Sequence, residues 1–375
     1  MSHTPFRIAR VNTDAIAGNV RRIREVTGVD DVLIVVKANA YGHGMVPAAR
    51  AALAGGATWL GTADIGEALT LREAGITAPV LCWIHAPDET FDEAVEADIT
   101  LGAVSVAQLN AIAAAGHRVH KTPRVHLKLD TGLSRNGASP NQWDAFFRTA
   151  AELHASGDLV VEGVMSHLSN TTPEDDLEQL KVFQVGISEL ADAGIEPPFV
   201  HLAASLAALM LPETRFNMVR SGIAAYGIGP TEEHRPEQFG LTPAMTLEGR
   251  VVAVRRVPEN TGVSYGYLHR TPHESTLALI PFGYGDGINR DASLNGPVLL
   301  NGSTYPVAGR IAMDQFLVNV GDDPVAVGDH VVLFGNPELG HPSVHDWAAA
   351  AGSIGYEIVT RLIPTRLEYI YEGQV

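Results

Sequence analysis

Cysteine is almost absent from this chain of 375 residues. The single Cys82 excludes an intrachain disulfide and any zinc site built on cysteine pairs. Basic residues are also scarce: 26 Lys and Arg against 43 Asp and Glu give a formal net charge of −17. That balance argues against nucleic acid or an anionic membrane as the main partner, because both require clustered positive charge. It leaves room for one local pocket that takes a small anion. Long apolar runs are missing too. The most apolar stretch, HLAASLAALML at 201–211, opens on His201, is broken by Ser205 and is too short to span a membrane. The first ten residues, MSHTPFRIAR, hold no apolar core of signal-peptide type. A soluble cytoplasmic protein is the expectation.

The remaining composition is that of an ordinary folded protein, with 46% hydrophobic and 18% charged residues. The length suits two domains, or one barrel with an addition. After an opening helix over Thr13–Thr27, β-branched runs alternate with amphipathic segments closed by glycine. The runs are VLIVV (32–36), TWLGTA (58–63), PVLCWI (79–84), ITLGAV (99–104), RVHLKL (124–129), LVVEGVMS (159–166), FVHLA (199–203) and NMVRS (217–221). Between them, Asp64 with Glu67, Ser139 before Pro140, and Thr172–Pro173 before Asp175 have the form of helix N-termini. Gly75, Gly116 and Gly194 suit helix ends. Eight strands alternating with helices predict an α/β fold, a (β/α)8 TIM-like barrel over residues 1–240. An open doubly wound sheet is the other reading, disfavoured because no glycine-rich dinucleotide fingerprint follows the first strand. From residue 241 to 375 the texture changes to strand-like runs at 250–257, 275–282, 297–300, 316–320 and 330–335, with one short helix over 344–351. This predicts a separate, mainly β domain.

A barrel places functional side chains just after its strands, at one rim. Lys37 follows the first run. Lys128, Asp130 and Arg135 lie at the end of the fifth and His167 ends the sixth. His201 and Ser205 bracket the seventh, and Arg220 with Gly222 ends the eighth. The segments at Ser205 and Ser221–Gly222 fall where barrels often bind phosphate through backbone amides. A lysine behind a buried run risks desolvation, which favours the neutral amine able to form a Schiff base. From position alone, a lysine snorkelling from a strand end is the competing reading.

The segment VVKANAYGHG at 35–44 resembles the pyridoxal-phosphate attachment motif of the alanine racemases. LKLDTGLSRNG (127–137), SHLSN around His167, HLAAS (201–205), MVRSGIAAYG (218–227), GVSYG (262–266), PFGYGDG (281–287), GRIAMDQ (309–315) and GYEIVTR (355–361) follow in that family's order. The likeness spans nearly the whole chain. It implies a pyridoxal 5'-phosphate enzyme that interconverts L- and D-alanine and supplies D-alanine for peptidoglycan. It also implies a homodimer in which the β domain reaches the partner's active site.

By this resemblance Lys37 carries the cofactor and serves one face of the substrate, while Tyr265, from the other subunit, serves the second. An ordinary phenol costs roughly 4 kcal/mol to ionise at pH 7, so nearby positive charge is required. The family pattern supplies His167 and Arg220 as a relay toward the cofactor ring. An arginine there, unlike a carboxylate, leaves the ring nitrogen unprotonated, which favours quick reprotonation over side reactions. Arg135 is the expected clamp for the substrate carboxylate. Lys128 is similar to a family lysine that carries a carbamate; an unmodified Lys128 paired with Asp130 is the alternative. Tyr41, Ser205, Gly222, Ile223 and Tyr356 match phosphate-contacting positions. Met313 matches a residue lining the partner's substrate pocket, with Asp314 beside it in a supporting role. No metal site is expected: His117, His120 and His126 form only a loose cluster, read as solvated. PEDDLEQ at 173–179 reads as solvated helix turns. His269, Ala312 and the segment 362–365 depart from the family pattern and bear on substrate breadth. A racemase of broader specificity, a decarboxylase of the same architecture and a non-catalytic cofactor carrier are the alternatives. Arg220 argues against the decarboxylase, and the β domain with Tyr265 argues against the carrier.

Overall fold

The computed structural model describes residues 5–374, so the first four residues of the N-terminal reading lie outside it. Nine strands are labelled here: β1 (Arg7–Asn12), β2 (Asp31–Val35), β3 (Trp59–Thr62), β4 (Val80–Cys82), β5 (Thr100–Ala103), β6 (Arg124–Lys128), β7 (Val160–Met165), β8 (Phe199–His201) and β9 (Met218–Ser221). Strands β2–β9 form one parallel sheet in the order β8-β7-β6-β5-β4-β3-β2-β9. Its two end strands meet, with Arg220 N–H donating to Ala203 O at 3.0 Å, so the sheet is a nearly closed eight-stranded barrel. All eight overlap the runs expected from sequence: β2 begins one residue earlier than its run, and the others are trimmed by a residue or two at one or both ends. Their residues are buried almost throughout, as parallel strands covered on both faces must be.

The helices carry the anticipated signals. Thr13–Thr27 is helical as expected, Thr172 Oγ1 accepts Asp175 N–H at 3.1 Å, and Gly75 and Gly194 take positive φ. Gly116 differs. The helix runs through it to Val119 and closes on a left-handed His120. Gly116 is needed for close approach instead: a Cβ there would lie 2.6 Å from Lys121 O.

The chain's contacts divide it into two compact units, and the division is not one cut near residue 240. One unit comprises Val20–Ala40 and Ala48–Ala225; the other takes residues up to Asn19, Tyr41–Pro47 and the chain from Tyr226. In the second unit β1 enters a nine-stranded sheet, antiparallel to Met245–Arg250 and parallel to Glu368–Glu372. The run 250–257 is broken at Val251–Val252 into two strands, and strands Ser303–Ala308 and Glu368–Glu372 add to those expected. The helix Val344–Ala351 is as expected, and a second, Gly355–Thr360, follows it.

Ala9, fully buried in the middle of β1, ties residues 7–12 to this sheet. Ala9→Asp buries a carboxylate opposite Leu247 with no partner and is expected to lower unfolding stability by about 3 kcal/mol or more. Denaturant unfolding checks this; an unchanged midpoint would show that β1 is dispensable.

Candidate active site

Lys37 lies two residues past the end of β2, and the backbone then turns the uncommon way. Ala38, Asn39, Ala40 and Tyr41 have φ of 52°, 55°, 54° and 53°, one turn of left-handed helix. Each such residue costs about 1–2 kcal/mol, so the turn must be held by its surroundings. Glu67 supplies part of that hold: Oε1 accepts Ala38 N–H at 2.6 Å and Oε2 accepts Ala63 N–H at 2.8 Å. Asp64 caps the helix Ile65–Glu73, accepting Glu67 N–H at 2.9 Å. The Asp64–Glu67 spacing signalled the helix start but concealed that Glu67 reaches the residue after Lys37. The Lys37 ammonium titrates below the usual lysine range, chiefly because it is desolvated and secondly because Arg135 is positive, with Glu67 opposing.

The loop after β6 folds back on its own strand. Asp130 N–H donates to Ala138 O, and Ala138 N–H to Lys128 O, both at 2.9 Å. Gly137 (φ 139°) permits this, since a Cβ there would lie 2.5 Å from Asp130 N. The loop exposes Arg135. Asp130 is occupied by its own turn, Oδ1 accepting the N–H groups of Gly132 and Ser134 at 3.1 and 3.0 Å. Among the described residues no ion pair joins it to Lys128. Lys128 is 9% exposed, and its amine is pushed down to about 8 by burial, then by the charges of Arg220, Arg135 and Lys37.

Arg220, on β9, is buried among neutral acceptors. Nη1 donates to His201 Nδ1 and His201 O, both at 3.0 Å. Nη2 donates to Ser166 O (2.7 Å), Leu202 O (3.1 Å) and His167 Nδ1 (3.2 Å). Burial lowers the guanidinium to about 10, far enough above neutrality for it to stay charged. A charged donor fixes the tautomers behind it. His201 must be bare at Nδ1 and carry its proton on Nε2, which donates to His126 Nδ1 at 2.8 Å. His126 Nε2 then lies 3.8 Å from Glu162 Oε1, whose other neighbour is the Thr100 hydroxyl at 2.7 Å. His167 likewise keeps its proton on Nε2. His126 is therefore no solvated histidine: it is fully buried and belongs to this relay, while His117 and His120 are exposed.

The remaining expected residues fall as follows. Gly222 N–H donates to Ser205 Oγ at 3.0 Å, and Ser205 and Ile223 are buried. The loop after β7 is pinned by residues read from sequence as solvated. Asp176 Oδ1 accepts Asn170 N–H at 3.0 Å, Gln179 Oε1 accepts Ser169 N–H at 3.1 Å, and both side chains are buried. In the second unit Tyr41 and Tyr356 pack with ring centroids 6.1 Å apart, and burial raises the Tyr356 phenol to about 12. Tyr265 is 72% exposed at the tip of a tight hairpin between Gly262–Val263 and His269–Arg270. Met313 is also exposed, and Asp314 forms an ion pair with Arg366.

The buried imidazoles make stability depend on pH. His126 is depressed to about 3 and His201 well below 6.5, both chiefly by burial and next by Arg220. The unfolded chain therefore takes up protons that the folded chain refuses. The stability is complete above about pH 6.5 and is lost as pH falls below it, so the unfolding midpoint is expected to be lower at pH 5.5 than at pH 7.5. Urea unfolding at pH 7.5 and 5.5 checks this; equal midpoints would contradict burial of the relay as neutral imidazoles.

Comparison with known proteins agrees along the whole chain. The family model for the alanine racemase N-terminal domain matches residues 11–230, and that for the C-terminal domain matches 244–371. The alanine racemase of Salinispora arenicola is 48% identical over 369 residues, covering 97% of this chain and 98% of that protein. That of Thermobifida fusca is 47% identical, covering 99% of each. The crystal structure of alanine racemase from D-cycloserine-producing Streptomyces lavendulae superposes with a TM-score of 0.97 at 43% identity, covering 100% of this chain and 99% of that one. Alanine racemase from Bacillus anthracis with bound L-Ala-P gives 0.89 at 34% identity, covering 100% and 97%. With fold, chain order and sequence in agreement over both domains, the chain belongs to the alanine racemase family.

Proposed function

We propose that this protein interconverts L- and D-alanine with pyridoxal phosphate, using Lys37 and Tyr265 of the partner subunit as the two proton-transferring groups. The observation that carries this reading is the surplus of positive charge at the barrel mouth. Arg135 depresses Lys37, and Arg220, Arg135 and Lys37 depress Lys128; all four cations depress His167, while Glu67 opposes the shift of Lys37 and Asp130 that of Lys128. A cluster of this kind calls for an anionic occupant.

The residues present fit such a cofactor. Burial lowers the Lys37 amine toward its neutral form, and the Arg220 guanidinium would hold the ring nitrogen. Ser205, Gly222 and Ile223, with Tyr41 and Tyr356 by family likeness, would hold the phosphate. When bound, pyridoxal phosphate supplies a carbonyl that takes up an amine and a conjugated ring that spreads the charge left by a departing α-proton.

The protein's own groups then divide the work. Lys37 Nζ accepts or returns a proton on one face. Tyr265 Oη does so on the other, where by family likeness it meets the Nε2–H that Arg220 leaves on His167. Arg135 presents a guanidinium fork suited to the substrate carboxylate. Lys128, lowered to about 8, holds roughly a tenth of its amine neutral at pH 7 and so suits capture of carbon dioxide. Carbamate formation from the ammonium releases two protons, one to give the neutral amine and one as the N–C bond to carbon dioxide forms, so a positive charge is replaced by a negative one and Arg135 gains an anion to pair with. The exposure of Tyr265 and Met313 supports a homodimer with shared sites. An arginine rather than a carboxylate at position 220 favours racemisation over decarboxylation. By family likeness the D-alanine serves cell-wall peptidoglycan.

The test is incubation of the purified protein and pyridoxal phosphate with L-alanine in heavy water, reading enantiomer ratio and α-deuteration. Racemic, α-deuterated alanine is expected, and recovery of unlabelled L-alanine would refute the reading. Lys37→Ala should lose the visible absorbance of bound cofactor. Tyr265→Phe should retain it while kcat/KM falls by about 10²- to 10⁴-fold, unequally for the two enantiomers. Full activity of Tyr265→Phe toward both would remove the two-base assignment.

A further inference from the structure

Asp286 is a buried carboxylate for which nothing above accounts. It is 0% exposed, and a buried charge must be paired to persist. Oδ2 accepts Gly283 N–H at 2.9 Å, Oδ1 accepts Arg366 Nε at 2.9 Å, and Arg7 Nη1 stands 3.4 Å away. Both arginines continue to a second loop. Arg366 Nη2 pairs with Asp314 Oδ1, and Arg7 Nη2 donates to Asp314 O at 3.3 Å. The two loops are also joined directly, Tyr284 N–H donating to Ala312 O at 3.1 Å and Gly285 N–H to Met313 O at 2.7 Å. Their approach is so close that a Cβ on Gly283 would lie 2.3 Å from the carbonyl oxygens of Ala312 and Met313.

This locked backbone carries an exposed apolar side chain. Met313 is 54% exposed and projects from a peptide whose carbonyl is bonded and whose neighbour is held by two arginines. A buried ion pair is a costly way to brace a surface loop unless the loop must present something at a fixed place.

We propose that Arg366, anchored on Asp286, is a positioning residue that fixes the Met313 loop for presentation to the substrate pocket of the partner subunit, and so sets how tightly a small amino acid is held. This rests on the shared-site reading given above. Arg366 is suited to the task because its planar fork reaches Asp286 and Asp314 together, which a lysine cannot do.

Steady-state kinetics of the Arg366→Gln holoenzyme should show KM for alanine raised about tenfold with kcat within about twofold, because the groups that move protons are untouched. Arg366→Lys should recover part of the loss. Asp314→Asn, which leaves the buried Asp286 pair intact, should show a smaller rise in the same direction. Mixed dimers locate the effect. With Lys37→Ala in one subunit and Arg366→Gln in the other, the surviving site has an intact loop and should keep the normal KM. With both changes in one subunit and none in the other, the surviving site receives the altered loop and should show the raised KM. An unchanged KM in the Arg366→Gln homodimer, or a fall in kcat and melting temperature alone, overturns the positioning role and leaves the shared site standing. The reverse pattern in the mixed dimers shows the loop acting within its own subunit and overturns the shared-site reading.

Discussion

The guanidinium of Arg220 is buried among carbonyl oxygens and two imidazoles, and among the described residues it forms no ion pair. The electrostatics of the barrel mouth depend on that arrangement. Because Arg220 stays charged, every group bonded to it must offer a lone pair, so His167 and His201 are neutral and each is left with one tautomer. After burial, the same uncompensated charge is what most lowers Lys128, His126, His167 and His201. A carboxylate beside Arg220 would cancel that field. Lys128 would then regain a more ordinary amine, and the mouth would lose the excess charge that makes it receptive to an anion.

Backbone constraint also fixes several of the candidate side chains within each unit. Lys37 precedes a left-handed turn braced by Glu67, Arg135 rides on a loop folded back at Gly137, and Tyr265 occupies a hairpin tip where Ser264, Gly266 and Tyr267 all take positive φ. Each conformation is unfavourable in isolation and is held by specific partners.

Much of this was legible in the sequence because the signals were local. β-branched runs with glycine stops located the eight barrel strands, and ordered motifs located Lys37, Arg135, His167 and Arg220 on their ends. β1 escaped notice because RIARVN carries two arginines and its pairing partners lie more than two hundred residues away. The burial of His126 could have been inferred: it stands two residues before Lys128 on the same face of β6. Asp176 and Glu67 were read by charge and helix position, which are one-dimensional. Their roles, bracing the turns after His167 and Lys37, exist only once distant backbone amides arrive. Asp286 and Arg366 belong to that class as well.

The relay anchored on Arg220 is open to direct observation. Nitrogen-15 correlation spectra of the histidine side chains report tautomer and charge at once. His201 and His126 should each show an unprotonated Nδ1 and a protonated Nε2, unchanged between pH 5.5 and 8. A His201 signal that titrates to the imidazolium in this range, or that carries its proton on Nδ1, would mean that Arg220 does not impose its charge on the relay, and the account of the barrel mouth would fail.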